Sequence, residues 1–142
     1  MPINRFKRTT TTTNKYNNKK VFIDGIKFDS RKEGERYKVL RQYEQNKTIS
    51  DLNLQVKYEL IPSIKESHIE QLKTKQKTVY KTVQLAINYI CDFTYIKNNE
   101  TVLEDVKASP KMLDKVYLIK EKLMRWKYGL IIRRIYKADE PI

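Results

Sequence analysis

Two consecutive asparagines, Asn98 and Asn99, separate two stretches that read as strands, roughly Val83 to Ile96 and Thr101 to Ala108. Asparagine tolerates the positive φ that a tight two-residue turn demands, so the dipeptide predicts an antiparallel hairpin. With those residues as the loop, Lys97 faces Glu100, and counting outward pair by pair places Asp92 opposite Asp105. A four-residue loop centred there keeps the same register. A loop with an odd residue count would instead bring Glu104 or Val106 opposite Asp92.

Side chains alternate between faces of a strand, so Lys107 shares a face with Asp105, and Glu104 does not. Two carboxylates and an ammonium then converge. Like charges facing each other across strands are destabilising. They become intelligible if a divalent cation bridges them, because Mg²⁺ prefers oxygen ligands and keeps several waters. A bound cation makes a water easier to deprotonate and offsets charge developing on a phosphodiester under attack. Lys107 is then expected to position that water and stabilise the charge, an ordinary lysine being a poor base. Taken alone, a D-x-K triplet is common on solvated strands, and its weight comes from Asp92. That aspartate interrupts an apolar stretch, Leu85 to Phe93, where a carboxylate is rare unless paired or metal-bound. Glu104 stays open as the alternative ligand.

The rest of the chain supplies a frame for this hairpin. Val21-Phe22-Ile23 and Ile26-Lys27-Phe28 flank Asp24-Gly25, a dipeptide suited to a type I′ turn. Ser30 followed three residues later by Glu33 forms a capping-box pattern, predicting a helix to about Asn46 that buries Tyr37, Leu40, Tyr43 and the stem of Glu44. From Leu52 to Leu60 every second residue is apolar, a half-buried strand ended by Pro62. Residues 62–77 show no period and read as a basic loop. Ser109-Pro110 offers a second helix start, with Leu113, Val116, Tyr117, Leu123, Met124 and Trp126 expected in the core, Lys120 in a salt bridge or reaching a phosphate, and Gly129 as the stop. A strand from Leu130 to Tyr136 follows. After the opening hairpin the order is αβββαβ, a mixed α/β (α+β) domain over 21–142.

Charge narrows the partner. The chain has 142 residues, enough for one domain, and carries 30 Lys plus Arg against 17 Asp plus Glu, a net +13. Such a surface seeks polyanions. Residues 1–20 hold Arg5, Lys7, Arg8, Lys15, Lys19 and Lys20, no acid and little to bury, and read as a disordered basic arm. Arg125, Lys127, Arg133 and Arg134 form a second basic group that suits a DNA-facing ridge or a solvated face. The absence of helix-turn-helix, zinc-finger or RNP patterns points to recognition through backbone and shape. Cys91 is the single cysteine, expected in the core, and fits a reducing cytoplasm. His68 has no ligand partner at zinc spacing and reads as a surface residue. No apolar run approaches the ~20 residues that span a bilayer.

Asp92, then Glu104-Asp105-Val106-Lys107 twelve residues on, resembles the D…(D/E)xK signature of the PD-(D/E)XK nuclease superfamily, and the αβββαβ order is that of its restriction-endonuclease-like core. Phe28-Asp29-Ser30-Arg31-Lys32-Glu33 and Asp51-Leu52-Asn53-Leu54-Gln55 are similar to stretches of small phage-encoded, junction-resolvase-like nucleases. The likeness covers roughly residues 20–136, with Ile90-Cys91 standing where the superfamily's name has a proline. It implies a Mg²⁺- or Mn²⁺-dependent DNA endonuclease acting on branched DNA in phage replication or recombination, a homodimer in the host cytoplasm. Asp92, Asp105 and Glu33 would be the metal carboxylates and Lys107 the motif lysine. The alternative for Glu33 is a helix-capping residue, which the Ser30–Glu33 pattern explains on its own. Gln55, otherwise a solvent-facing strand residue, would stand behind the metal ligands. The alternative is a catalytically inactive DNA-binding or anti-host interaction protein on the same fold.

Overall fold

A computed structural model describes residues 19–142. The chain opens with β1 (Val21–Ile23) and β2 (Ile26–Phe28), joined by Asp24 and Gly25 at φ 52° and 76°, the left-handed pair that a type I′ turn requires. Helix α1 (Arg31–Gln45) follows, with Ser30 as its N-cap. The Ser30 hydroxyl accepts from the Glu33 amide at 3.1 Å, and the Glu33 carboxylate accepts from the Asp29 amide at 3.3 Å, so two amides that the helix start would orphan are satisfied. The hairpin lies directly on the helix at Gly34. A Cβ there would sit 2.6 Å from Ile23 Cδ1 and 2.9 Å from Val21 Cγ2, which only glycine avoids.

The central sheet has the order β3 (Ser50–Ile61), β6 (Ile87–Lys97), β7 (Glu100–Val106), β8 (Ile132–Ile135). The first two junctions are antiparallel and β7–β8 is parallel. A parallel neighbour needs a crossover, and α2 (Lys115–Tyr128) supplies it. Between β3 and β6 the chain makes β4 (Ile64–Gln71) and β5 (Gln76–Gln84), a separate two-stranded sheet. With that excursion set aside, α1, β3, β6, β7, α2 and β8 give the expected αβββαβ order and a mixed sheet flanked by helices.

Three expectations need correction. Residues 62–77 are not a loop: most of them belong to β4 and β5, and the strand expected from Val83 is two strands broken at Leu85-Ala86. Both faces of the β4–β5 ribbon meet water, so it has no buried side to impress a period of two on its hydrophobicity. The helix after Ser109-Pro110 is interrupted. A 3-10 turn at Pro110–Met112 ends at Leu113, whose φ of −77° and ψ of 127° are extended, and α2 starts afresh from Asp114. Finally, Trp126 is 79% exposed and Val116 55%. At 100° per residue, Tyr117 and Met124 share one stripe of α2 and Trp126 lies about 200° beyond Met124.

The core has two parts. Leu60, Tyr89, Cys91, Leu103, Tyr117, Met124 and Ile132 pack on the α2 side, with Leu113 and Leu123 partly buried against them. Phe28, Tyr37, Leu40, Ile49, Phe93 and Tyr95 pack on the α1 side. Gly129 stops α2 in the left-handed region at φ 68°. Among the described residues no helix is long and apolar enough to cross a membrane.

Candidate active site

Asn98 and Asn99 take φ of 51° and 63°, making a two-residue turn of the primed kind. Lys97 pairs with Glu100 and Phe93 with Glu104, so the even register holds, and one further step sets Asp92 beside Asp105. The β3–β6 pair is irregular at the same level. Gln55 adopts φ 52°, and the Gln55–Asp92 position is skipped between Leu54–Phe93 and Val56–Cys91. Cys91 and Phe93, two residues apart, accordingly join opposite core clusters. The twist turns Asp92 towards a cleft while its neighbours stay buried.

Asp92 Oδ2 accepts from the Val106 amide at 2.8 Å, and Oδ1 from Gln55 Nε2 at 3.2 Å. Asp105 is 4% exposed. Its Oδ2 lies 2.8 Å from Lys107 Nζ, off the angle a hydrogen bond needs, so this buried oxygen has an ionic neighbour and no hydrogen-bond donor. The Lys107 ammonium rests 3.8 Å above the Tyr117 ring, a cation–π contact that fixes it beside Asp105. Tyr117 donates its phenol to Glu121, which also pairs with Arg134, so the lysine's platform is itself anchored. Lys32 on α1 donates to the carbonyls of Lys107 and Ala108 at 3.1 and 3.2 Å, tying the helix to the end of β7. No spacing rule pointed to Tyr117 or Lys32 in these roles, because the Lys32 contact spans 75 positions and the Tyr117 contact depends on how α2 packs back on β7.

Glu104 is removed from the candidate ligands. It points to the opposite face, fully buried, where Arg36 Nε and Nη2 donate to it at 2.7 and 2.6 Å and Tyr95 Oη at 2.8 Å. Glu33 does serve as the capping residue, and it also feels the site: burial raises its pKa above the ordinary glutamate value, opposed by its Ser30 and Asp29 bonds, with the Asp105 charge adding to the rise.

The pair opens into a cleft of about 350 Å³ that also includes Lys120, Asp114 and Asn88. The Asn88 side-chain oxygen, like Asp105 Oδ2, is buried without a donor. Oxygen acceptors without donors, beside two carboxylates, suit a hard cation completed by water. Among the described residues no three His, Cys, Asp or Glu side chains converge at metal-holding distance, so Glu33 does not join Asp92 and Asp105 as a preformed third ligand. A larger cleft of about 550 Å³ between α2 and β8 contains none of Asp92, Asp105 and Lys107.

Residues 13–139 match the family DUF1064, described as a protein of unknown function. The chain belongs to the DUF1064 family. No curated protein and no solved structure matches it.

In this DUF1064 chain the basic residues divide by what holds them. Arg5, Lys7 and Arg8 lie outside the described residues, whereas Lys19, Lys20 and Arg125 are exposed. Lys127 donates to the Glu59 carbonyl at 2.6 Å, Arg133 pairs with Glu104 and Arg134 with Glu121. Those three therefore brace the fold. Cys91 is fully buried, and burial pushes its thiol up to about 12. His68 is exposed beside Glu70.

Burial, the adjoining Asp105 carboxylate and the charge of Glu33 push Asp92 from its ordinary 3.8 up to about 8, against the Val106 amide, which lowers it. A carboxyl raised in the fold contributes most below its unfolded value, and that contribution is lost as pH climbs through the folded one. In EDTA the protein is therefore expected to lose stability between about pH 4 and pH 8. Asp92→Asn should melt higher than the wild type at pH 8.5, by on the order of 5 °C, and the gain should vanish towards pH 4. Thermal melts across that range test this; a constant difference at all pH values would reject it.

Proposed function

We propose that this protein is a metal-dependent DNA endonuclease of the PD-(D/E)XK type. The observation that carries the reading is the placement of Asp92 and Asp105 on neighbouring strands with Lys107 Nζ 2.8 Å from Asp105 Oδ2, in an open cleft of a +13 chain. The αβββαβ order and the D…(D/E)xK resemblance support it. Asp92 and Asp105 would hold Mg²⁺ or Mn²⁺, and such an ion lowers the pKa of its bound water and offsets charge on the phosphoryl oxygens.

The chain's own groups do the rest. Gln55 and the Val106 amide hold the Asp92 carboxylate with both oxygens fixed, so its lone pairs are presented to the cleft in one orientation. Lys107, held on the Tyr117 ring, positions the attacking water and stabilises negative charge on the five-coordinate phosphorus. Lys120, in the same cleft, meets a non-bridging oxygen of the scissile phosphate. Glu33 contributes negative charge from the first turn of α1.

We assign branched DNA as the substrate, a homodimer as the working form and phage replication or recombination as the setting, from the resemblance and from the need to cut two strands. Purified protein incubated with a labelled four-way junction and a matched linear duplex, in Mg²⁺, Mn²⁺ or EDTA, tests this alongside Asp105→Ala. Metal-dependent cleavage of the junction, lost in Asp105→Ala, is expected. Cleavage of linear duplex alone would remove the junction assignment. Tight binding without cleavage in either metal would overturn the enzyme reading in favour of an inactive DNA-binding or anti-host interaction protein.

A further inference from the structure

The β4–β5 ribbon stands apart from the rest of the molecule. It is an eight-pair antiparallel ladder from Ile64–Gln84 to Gln71–Gln76, and among the described residues no helix or further strand packs along it. An isolated two-stranded ribbon is marginally stable in water, because it has no core to bury. Every residue of β4 is exposed, and in β5 only Val79 is partly covered.

The two faces of the ribbon differ in chemistry. On one, Glu66 stands opposite Lys81 and Glu70 opposite Lys77, cross-strand partners of opposite sign that suit a solvated surface. On the other, Ser67 faces Tyr80, Ile69 faces Thr78 and Lys65 faces Thr82, with Tyr80 70% and Ile69 67% exposed. This second face has hydroxyls, one ammonium and no acid. Serine, threonine, tyrosine and lysine are the side chains that contact phosphate and sugar oxygens of nucleic acid. The tip adds Lys73 and Lys75, and residues 64–84 hold five lysines against two glutamates. Lys65, Lys73 and Lys75 take part in no ion pair among the described residues. Their charge is open to an external anion.

Size and position agree with a duplex as that anion. At about 3.3 Å per residue the ribbon is on the order of 25 Å long, and a two-stranded ribbon fits the DNA major groove, about 12 Å wide. Its second strand runs through Leu85-Ala86 into β6, the strand that carries Asp92.

We propose that the β4–β5 ribbon is a nucleic-acid-binding arm that holds the sugar-phosphate backbone of a duplex through its Lys65–Ser67–Thr78–Tyr80 face and its Lys73–Lys75 tip. The arm's binding stands on its own chemistry; that it delivers a duplex to the Asp92–Asp105 cleft rests on the nuclease reading.

The test is fluorescence anisotropy of the full chain with a labelled 30-base-pair duplex (about 100 Å of helix) in EDTA, at several salt concentrations, so that no cleavage enters. Lys65→Ala/Lys73→Ala/Lys75→Ala should weaken binding about ten-fold at moderate salt and lower the slope of log affinity against log salt by about 2 to 3, one contact per lysine. An unchanged thermal melt excludes misfolding, and Ser67→Ala/Thr78→Ala, which leaves the charge alone, should weaken binding with the slope unchanged. Wild-type affinity and slope in the triple variant would overturn the arm, even if Mg²⁺-dependent cleavage is seen. Arm-dependent binding with no cleavage would keep the arm and remove the nuclease. Sedimentation of Ile69→Ser/Tyr80→Ser decides the remaining case: a dimer turned monomer with DNA affinity unaltered would assign the face to a second copy of the chain and overturn the proposal.

Discussion

Arg36→Ala is expected to lose on the order of 3–5 kcal/mol of folding stability, the cost of leaving a buried charge without its partner. The arginine is fully buried and grips Glu104 with two nitrogens, at 2.7 and 2.6 Å, while its third donates to the carbonyls of Ala138 and Glu140. Tyr95 and Arg133 would remain on Glu104, but Arg133 stands 3.1 Å away on a side chain 34% exposed, where water screens it. A loss of that size is a large part of the 5–15 kcal/mol typical of a whole domain. Urea denaturation measures it. Arg36→Met/Glu104→Leu, which removes both charges, should recover most of the loss. A double variant no better than Arg36→Ala would show that the tail contacts, not the ion pair, carry the stability.

Lys107→Met should slow the chemical step and leave DNA binding intact. On the nuclease reading, removing a charge aimed at the transition state costs on the order of 10² to 10³ in the rate of cleavage. Asp92, Asp105 and the ribbon are untouched, so DNA affinity in EDTA should stay within about two-fold, a loss confined to the chemical step being the mark of transition-state binding. Single-turnover cleavage with enzyme in excess separates the two. A variant that binds and cleaves like the wild type would leave Lys107 as no more than the structural counter-ion of Asp105, a role its 2.8 Å contact also supports.

What the sequence made legible was what short-range rules control. Asn98-Asn99 set the β6–β7 register, and that register placed Asp92 by Asp105 and sent Glu104 to the other face. Ser30 and Glu33 announced the start of α1, and Gly129 the end of α2. Hidden were features whose cause lies across the fold. Residues 62–77 looked like loop because the ribbon has no inside. The burial of Arg36 has no local signal, since its partner is 68 positions away. Trp126 was placed in the core by its type, and the phase of α2, set by Tyr117 and Met124, turned it outward. Ser109-Pro110 signalled a helix start where only a 3-10 turn forms, because the extended break at Leu113 puts the start of α2 at Lys115.

The β4–β5 ribbon leaves and re-enters the sheet at Ile61 and Ile87, which are themselves paired partners on β3 and β6. A chain that closes on such a pair needs only a short turn to join the two strands. Nothing in the core therefore counts the residues between them. The excursion's length and sequence can drift, shrink or be exchanged while the carboxylate pair stays where β6 and β7 put it. Within one architecture, what is gripped can evolve separately from what is done to it.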